Sequence, residues 1–334
     1  MSILITGGAG YIGSHTVKYF LEQKEDVVVV DNLQSGHKKA VQTDKFYEVD
    51  IRNKEELDKV FKTHKIEAVI HFAANSLVGE SMEKPYEYYH NNVYGMMCLL
   101  EVMKKNNVNK IVFSSTAATY GEPKNIPILE DDETNPTNTY GETKLSMEKM
   151  MKWFEKAYGI KYVSLRYFNA AGAYEDGTIG EDHNPETHLI PLILKVPLGK
   201  REKIYIFGND YPTKDGTCIR DYIHVMDLAS AHYLALEYLR KENKSDIFNL
   251  GNGNGYSVKE VIETARKVTG HPIPAEIKER RAGDPAVLIA SSEKAKKILG
   301  WNPKFDSLEK IITDAWNWHS QNPNGYEREL RIEN

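Results

Sequence analysis

A tyrosine and a lysine four positions apart, Tyr140 and Lys144, are the residues of this chain best suited to acid–base chemistry. Four residues make about one helical turn, so both side chains would lie on the same face of a helix. A free phenol has a pKa of about 10, and a base near pH 7 needs that pKa lowered by about 3 units, or roughly 4 kcal/mol. A neighbouring ammonium group lowers it. The spacing alone is also that of an ordinary surface pair.

Hydroxyl side chains precede this pair at Ser114 and Thr116, where a predicted strand ends. Open α/β sheets bind ligands at the carboxyl ends of their strands, so a hydroxyl there can bridge a substrate and the tyrosine. The alternative is that these hydroxyls satisfy backbone groups in a turn. We expect Thr116, Tyr140 and Lys144 to act together as a catalytic set.

The segment Thr6–Gly13 is rich in glycine and joins a predicted strand to a predicted helix. Its glycines satisfy G-x-x-G-x-x-G at Gly7, Gly10 and Gly13, and G-x-G-x-x-G when Gly8 takes the first place. One glycine makes the tight turn, one lets the backbone approach a pyrophosphate, and the last lets helix and sheet pack closely. The helix N-terminus then faces the anion. The loop therefore predicts a dinucleotide site.

An acidic residue, Asp31, ends the second predicted strand and supports this interpretation. Its carboxylate would accept hydrogen bonds from both ribose hydroxyls and repel a 2′-phosphate, and no arginine adjoins the following Asn32. This pattern favours NAD over NADP, while a glycine-rich turn with a capping aspartate is the alternative. The positive ring of a bound nicotinamide is a second charge that lowers the pKa of the tyrosine.

Short apolar runs alternate with amphipathic stretches through the first half of the chain. The predicted strands are Ser2–Thr6, Asp26–Val30, Lys45–Val49, Ala68–Phe72, Lys110–Ser115 and Tyr162–Tyr167. The predicted helices are Tyr11–Gln23, Asn53–Thr63, Pro85–Asn106 and a helix from near Pro136–Tyr140 to Tyr158. The valine run at 27–30 is typical of a strand covered on both faces. The alternation predicts an α/β fold with a doubly wound parallel Rossmann sheet.

After Phe168 the loops lengthen and the elements become irregular. The predicted elements there are helices near Leu189–Leu198, Val225–Arg240 and Ser307–His319 and strands near Ile204–Phe207 and Ile219–Tyr222. We expect residues 1–168 to form an NAD-binding domain and residues 169–334 a smaller, mixed α/β substrate domain. The helix near 225–240 is expected to pack back onto the first domain.

The 334 residues carry a net charge of −5, with 41% hydrophobic and 27% charged residues. This composition is that of a globular protein and gives no electrostatic reason to expect a nucleic-acid or membrane partner. The only two cysteines, Cys98 and Cys218, exclude a disulfide scaffold and favour reduced thiols in the cytoplasm. His183 and His188 lie in a predicted loop without evident partner ligands, so we expect no metal.

These segments together resemble the extended short-chain dehydrogenase/reductase family. The resemblance is carried in the first half by Thr6–His15, Asp31, Phe72–Ala74, Val112–Gly121 and the pair Tyr140 and Lys144. In the second half, the segments similar to UDP-galactose 4-epimerases are Tyr167–Gly172, Phe207–Val225 and Arg280–Asp284. The likeness runs from residue 3 to about residue 320, and the second-half segments are more specific than the dinucleotide motifs.

The resemblance implies a role for each matching residue. It places NAD against Gly7, Gly10, Tyr11, Ile12, Gly13, Asp31, Asn32, Asp50, Ile51, Phe72, Ala73, Ala74, Asn91, Ser114, Tyr140, Lys144 and Tyr167. It places a UDP-hexose against Thr116, Tyr140, Asn169, His188, Leu189, Tyr205, Phe207, Arg220, Arg281, Asp284 and Leu288. Arg220 and Arg281 suit bidentate recognition of a diphosphate, and ion pairs with Asp221 and Asp284 are their alternative role.

The implied reaction is reversible inversion at C4, between UDP-galactose and UDP-glucose. Tyr140, assisted by Thr116, would remove the 4-hydroxyl proton while hydride passes from C4 to the nicotinamide. Hydride would then return to the opposite face of a 4-keto sugar that turns in the pocket while UDP stays anchored. The scheme requires NAD to remain bound through turnover.

Other functions on the same fold remain open. They are another nucleotide-sugar epimerase (for UDP-GlcNAc and UDP-GalNAc or a UDP-pentose), a 4,6-dehydratase or reductase, and a non-catalytic NAD sensor. A dehydratase needs a further acid and base, and Thr116–Thr119 contains no carboxylate.

Three positions depart from the family pattern. Thr116 replaces a common serine but keeps the hydroxyl, and Ser76 stands where some members have lysine. Leu288 is intermediate between the bulky tyrosine that restricts the family's pocket to hexoses and smaller residues that admit N-acetylated sugars. The family further implies a homodimer formed through helices near 85–106 and 137–158. The same reaction serves galactose metabolism and the supply of wall polysaccharides, and we expect galactose metabolism here.

Overall fold

The structure is a computed structural model that describes residues 1–281 and 284–326, so residues 327–334 of the predicted second domain lie outside it. Its strands are β1 Ser2–Thr6, β2 Asp26–Asp31, β3 Phe46–Glu48, β4 Ile66–His71, β5 Lys110–Ser114, β6 Lys161–Arg166, β7 Asn169–Ala171, β8 Ile204–Phe207, β9 Ile219–Arg220, β10 Tyr222–His224, β11 Asp246–Asn249, β12 Tyr256–Ser257, β13 Ala275–Lys278 and β14 Val287–Leu288. Its helices are α1 Tyr11–Glu22, α2 Lys54–Thr63, α3 Val78–Glu83, α4 Pro85–Tyr88, α5 Gly95–Lys105, α6 Thr139–Tyr158, α7 Leu189–Leu194, α8 Val225–Glu242, α9 Val258–Thr269, α10 Glu293–Leu299 and α11 Leu308–Gln321.

The central sheet confirms the predicted α/β fold. Within the described residues it has seven strands in the order β11-β6-β5-β4-β1-β2-β3, and each neighbouring pair is parallel. The side chains of β2 alternate between two cores, with Val27 and Val29 on one face and Val28 and Val30 on the other. Helices cover both faces, which explains why the strand is a continuous apolar run.

One predicted helix, Pro85–Asn106, is interrupted. Residues Tyr89–Tyr94 form a π-helical turn between α4 and α5. Asn92 lies on this turn with a fully buried side chain, whose amide donates to Asn75 O and Thr143 Oγ1, both at 3.0 Å. The wider turn thus brings the Asn92 side chain to partners in two other segments of the chain, and residue spacing within one helix does not predict such contacts.

The second half returns to the sheet. Helix α8 packs against α1, β5 and β6, and β11 pairs with β6 at the sheet edge. Strand β11 is absent from the sequence-based prediction because Asp246–Asn249 offers only two consecutive apolar residues. Helix α10 also packs against α8 and β11, whereas α7, α9 and α11 build a separate core that includes Ile190, Val261 and Ile311.

Both cysteines, Cys98 and Cys218, are buried free thiols. In the part of the chain that the structure describes, no helix has the length and apolar composition needed to cross a membrane.

Candidate active site

The segment that runs from the end of β1 into the first turn of α1 has room only for glycine at two of its positions. A Cβ on Gly13 would lie 2.0 Å from the carbonyl oxygen of Gly7. Gly7 itself has φ +74°, and its Cβ would lie 2.5 Å from the amide nitrogen of Ala73. Helix α1 starts after Gly10 without a side-chain cap or an acidic residue in its first turn. Its first N–H groups are therefore available to a phosphate group, and this loop fits a dinucleotide pyrophosphate.

Asp31 lies at the carboxyl end of β2, beside this loop. Its two carboxylate oxygens accept hydrogen bonds from Ala9 N at 3.0 Å and Leu33 N at 2.8 Å. Burial raises the pKa of Asp31, and the two N–H groups oppose that rise. A carboxylate oxygen has two lone pairs, so each one can still accept a ribose hydroxyl.

The three predicted catalytic residues lie in one part of the cleft. Thr116 follows β5, and its hydroxyl lowers the pKa of Tyr140 and accepts a hydrogen bond from Ala118 N at 3.1 Å. Asn138 caps α6 by accepting from Gly141 N at 2.8 Å, which fixes the helix start beside the strand end. Lys144 follows one turn later, as its spacing predicts.

The ammonium group of Lys144 lies closer to the strand end at Ser114 than to the ring of Tyr140. Its Nζ donates to the carbonyl oxygen of Ser114 at 2.8 Å and lies 5.8 Å from the ring centroid of Tyr140. Burial lowers the pKa of Lys144 to about 7, against the opposing effect of the Glu148 carboxylate. Burial raises the pKa of Tyr140 to about 12, and the neighbouring Thr116 hydroxyl opposes this rise. Within the described protein, burial thus raises the pKa of Tyr140 by more than the neighbouring lysine is expected to lower it.

A buried polar network supports this site from behind. Glu148 Oε1 accepts from Ser115 Oγ at 2.5 Å and from Arg166 Nε at 3.0 Å. The guanidinium also donates to Tyr120 Oη at 2.8 Å, and that hydroxyl donates to Asn249 Oδ1 at 2.7 Å. The network joins α6, β5, β6 and the end of β11. Sequence reasoning missed it because its members are far apart along the chain.

A cleft of about 1230 Å³ connects the glycine loop with the second half of the chain. The predicted residues that line it are Gly7, Gly10, Tyr11, Ile12, Gly13, Asp31, Asn32, Ile51, Phe72, Ala73, Ala74, Asn91, Ser114, Thr116, Tyr140, Lys144, Tyr167, Asn169, His188, Arg220, Arg281, Asp284 and Leu288. Of the predicted residues in the described ranges, those outside its lining are Asp50, Leu189, Tyr205 and Phe207. Asp50 contacts the lining indirectly, because its carboxylate accepts from Asn32 Nδ2 at 3.0 Å.

The two predicted phosphate-binding arginines both border the cleft. Arg220 Nη2 lies 3.0 Å from Asp284 Oδ1, so the ion pair considered as its alternative role is formed. The guanidinium carbon of Arg281 lies 4.0 Å from the ring centroid of Phe207, which places that ring behind the arginine. Two guanidinium groups at one end of a cleft suit an anionic diphosphate.

The expectation that His183 and His188 lack partner ligands is wrong. Two glutamates of the same loop, Glu181 and Glu186, join them at the cleft, and we name these four residues the histidine–glutamate cluster. Burial would lower the pKa of both histidines, but the carboxylates raise that of His183 to about 9 and that of His188 to about 10. The spacing E-x-H-x-x-E-x-H is the signal that could have indicated the cluster.

The fold and the site define an NAD-binding enzyme of the Rossmann class, with a tyrosine-based acid–base site. The model of the NAD dependent epimerase/dehydratase family matches residues 3–251, and the chain belongs to that family. A UDP-glucose 4-epimerase of Halalkalibacterium halodurans is 66% identical over 329 residues, which cover 98% of each chain.

Solved structures agree with this assignment. A crystal structure of a UDP-glucose 4-epimerase is similar with a TM-score of 0.97 and 61% identity, covering 98% of this chain and 100% of that one. The UDP-glucose 4-epimerase of Bifidobacterium longum, solved in complex with NAD⁺ and UDP, has a TM-score of 0.91 and 42% identity. That match covers 97% of this chain and 100% of the other.

Proposed function

We propose that this protein is a UDP-glucose 4-epimerase, which interconverts UDP-galactose and UDP-glucose and keeps NAD bound. The observation that carries the proposal is the single cleft that joins the glycine loop, the Thr116–Tyr140–Lys144 set and two arginines. The 66% identity with an epimerase over nearly the whole chain supports the same reaction.

Each residue of the site has a separate role in this reaction. Tyr140 exchanges a proton with the 4-hydroxyl group, and the Thr116 hydroxyl stabilises the phenolate by hydrogen bonding. Lys144, held by the carbonyl of Ser114, supplies positive potential from beneath. Bound NAD supplies the hydride acceptor and, through its cationic ring, a further positive charge near the phenol. Arg220 and Arg281 hold the diphosphate, so the sugar remains free to turn.

Leu288 borders the cleft and is the residue we propose to set sugar selectivity. Like Phe168, it packs against a small cluster that contains Tyr120 and Ile128. Its branched side chain is smaller than tyrosine, so UDP-N-acetyl sugars are the second substrate class to test. Thr116–Thr119 contains no carboxylate, and this weighs against a dehydratase.

The test is an assay with UDP-galactose and no added cofactor, in which UDP-glucose is measured. Product formation would support both the epimerase reaction and retention of NAD. Tyr140→Phe should lose activity by about 10²–10⁴-fold while keeping the fold and bound NAD. Absence of product even after NAD is restored would reject the hexose epimerase, and full activity of the variant would reject the tyrosine as the base. UDP-N-acetylgalactosamine in the same assay tests Leu288.

A homodimer is also proposed. Helix α6, the π-helical turn and α5 expose large apolar side chains, namely Tyr94, Met97, Trp153 and Tyr158, which are 38–65% exposed. Large apolar side chains exposed on neighbouring elements are expected at an interaction surface. Light scattering should give the mass of two chains. Trp153→Glu should shift that mass towards one chain, whereas Trp153→Phe should not, and a monomeric wild type would reject the proposal.

We propose a cytoplasmic location and a place in galactose metabolism. Both cysteines are buried free thiols, which suits a reducing compartment. Inversion at C4 converts a galactose derivative into the corresponding glucose derivative, and this is the step that such metabolism requires. Cell fractionation and growth of a deletion strain on galactose test the two statements separately.

A further inference from the structure

The histidine–glutamate cluster converges on a point beside the cleft. One atom from each of its four side chains lies within 4.8 Å of all the others. His188 Nδ1 lies 2.9 Å from Glu181 Oε1 and from Glu186 Oε1. His183 Nδ1 lies 3.2 Å and 3.6 Å from oxygens of the same two carboxylates. The ligands of a tetrahedral zinc ion, bound at about 2.0–2.2 Å, lie about 3.4 Å apart.

The burial and hydrogen bonding of these atoms point to a ligand. The side chains of Glu181 and Glu186 are only 4% and 3% exposed. Glu181 Oε1 and His183 Nδ1 are buried and have no hydrogen-bond partner among the residues that the structure describes, although they face each other and the other members. His188 Nδ1 and Glu186 Oε1 do form a hydrogen bond at 2.9 Å, but two unpaired polar atoms at short distance beside them are expected where the cluster shares a cation.

We propose that the histidine–glutamate cluster binds one divalent transition-metal ion, with zinc as the best match. Two imidazole nitrogens and two carboxylate oxygens suit zinc, whereas calcium and magnesium prefer oxygen ligands alone. Both imidazoles bind the ion in their neutral form, so the ion replaces the two protonated histidines as the balance for the two buried carboxylate charges. Four protein ligands close the coordination shell, so the site is structural and takes no part in hydride or proton transfer.

The ion would fix the loop that forms one wall of the cleft. His183 packs edge-on against the ring of Tyr11 at 6.1 Å between centroids, and the Tyr11 hydroxyl donates to Gly172 O at 2.7 Å. His188 is the residue immediately before α7. A bound ion would therefore tie the start of α7 to the glycine loop. This inference does not depend on the identity of the sugar substrate.

The experiment uses the untagged, NAD-loaded protein after treatment with EDTA and desalting. Zinc chloride is added at a small excess, unbound metal is removed, and zinc is measured by plasma mass spectrometry. We expect one zinc per chain and a melting temperature higher by about 5 °C at saturation. Magnesium and calcium chloride should give no shift. Cobalt(II) should give the visible absorption of a tetrahedral site.

Matched variants locate the ion. His183→Gln and Glu186→Gln should each abolish retention of zinc, while His271→Gln and Glu279→Gln, at exposed positions, should retain one zinc per chain. Circular dichroism shows whether each variant is folded, and the cobalt spectrum of wild-type protein tests the site without any substitution. The proposal is overturned if wild-type protein keeps no zinc and gives no tetrahedral cobalt spectrum. It is also overturned if folded cluster variants keep as much zinc as wild type.

Discussion

Tyr140 lies where its ionisation is opposed. Burial raises the pKa of this phenol to about 12, and the hydroxyl of Thr116 is the neighbour that lowers it. The burial that keeps water from a reactive sugar intermediate thus also makes the base weaker, so each hydrogen bond to the phenolate matters for the rate.

Thr116→Ala is predicted to raise the apparent pKa of the base and to reduce kcat by roughly 100-fold. The physical reason is that the phenolate loses a hydrogen-bond donor in a buried site. The measurement is the pH profile of kcat. Thr116→Ser keeps the hydroxyl and is the control, which should restore the wild-type profile. A Thr116→Ala profile that overlays the wild type would contradict the role.

Lys144 predicts a pH dependence of stability. Burial lowers its pKa from 10.5 to about 7, so between these values the unfolded chain binds a proton that the folded chain does not. Stability contributed at this site therefore rises as pH increases from 7 towards 10.5. In Lys144→Met, which removes the group, the free energy of unfolding should lack this rise of up to about 1.4 kcal/mol per pH unit.

Urea unfolding of cofactor-free wild type and Lys144→Met at pH 7, 8.5 and 10 checks this expectation. The variant should be relatively more stable at pH 7, and its advantage should shrink as pH increases. Parallel curves across the range would show that the lysine keeps an ordinary pKa.

At the scale of the elements, α6 and β6 are held together by the ion pair of Arg166 and Glu148. Both side chains are 4% exposed, and the pair has contacts at 2.5 and 3.0 Å. Arg166→Met should lower the free energy of unfolding by about 3–5 kcal/mol, because a buried carboxylate is left without its partner. Chemical denaturation measures this loss.

The control for Arg166→Met is an exposed pair, Lys124 with Glu133, whose side chains are 80% and 68% exposed. Lys124→Met should leave stability nearly unchanged, because solvent screens the charges. Equal losses of stability in the two variants would show that the buried pair stabilises the fold no more than the exposed pair does.

The sequence predicts best the elements whose signals are local. The valine run of β2, the glycine loop and the turn spacing of Tyr140 and Lys144 each indicate their structure within a few residues. The π-helical turn at 89–94 is not predictable in this way, because the partners of Asn92 come from other segments. Strand β11 is missed for the same reason, since only pairing with β6 makes its short run a strand.

The same limit applies to the site. The nucleotide-binding loop and the tyrosine–lysine pair are recognisable as motifs. The burial of Tyr140, the hydrogen bond from Lys144 Nζ to Ser114 and the ion pair of Arg220 depend instead on how distant segments pack. The partners of His183 are not predicted from the sequence, although they lie close to it along the chain. Their arrangement follows from the path of one irregular loop, for which periodicity gives no guide.

At the scale of the whole molecule, the first half is not complete at residue 168. Helix α8 and strand β11 cover its core and its β6 edge. We predict that a fragment of residues 1–168 aggregates or remains partly unfolded, because it exposes apolar surface and an open strand edge.

A fragment of residues 1–251, which keeps both covering elements, is the comparison. It should be recovered in a larger folded fraction, measured by gel filtration and cooperative urea unfolding. Cooperative folding of the 1–168 fragment on its own would show that the proposed first domain does not need the later elements.

Because the last strand of the central sheet comes late in the chain, the order of the elements also affects folding during synthesis. Strand β6 ends at Arg166, but its edge partner ends at Asn249, about 80 residues later. A ribosome that adds 5–20 residues per second needs roughly 4–16 seconds to make that stretch. During this time the nascent half presents an unpaired strand to every other chain nearby. The order of the elements thus leaves the β6 edge of the nascent chain open until Asn249 has been made.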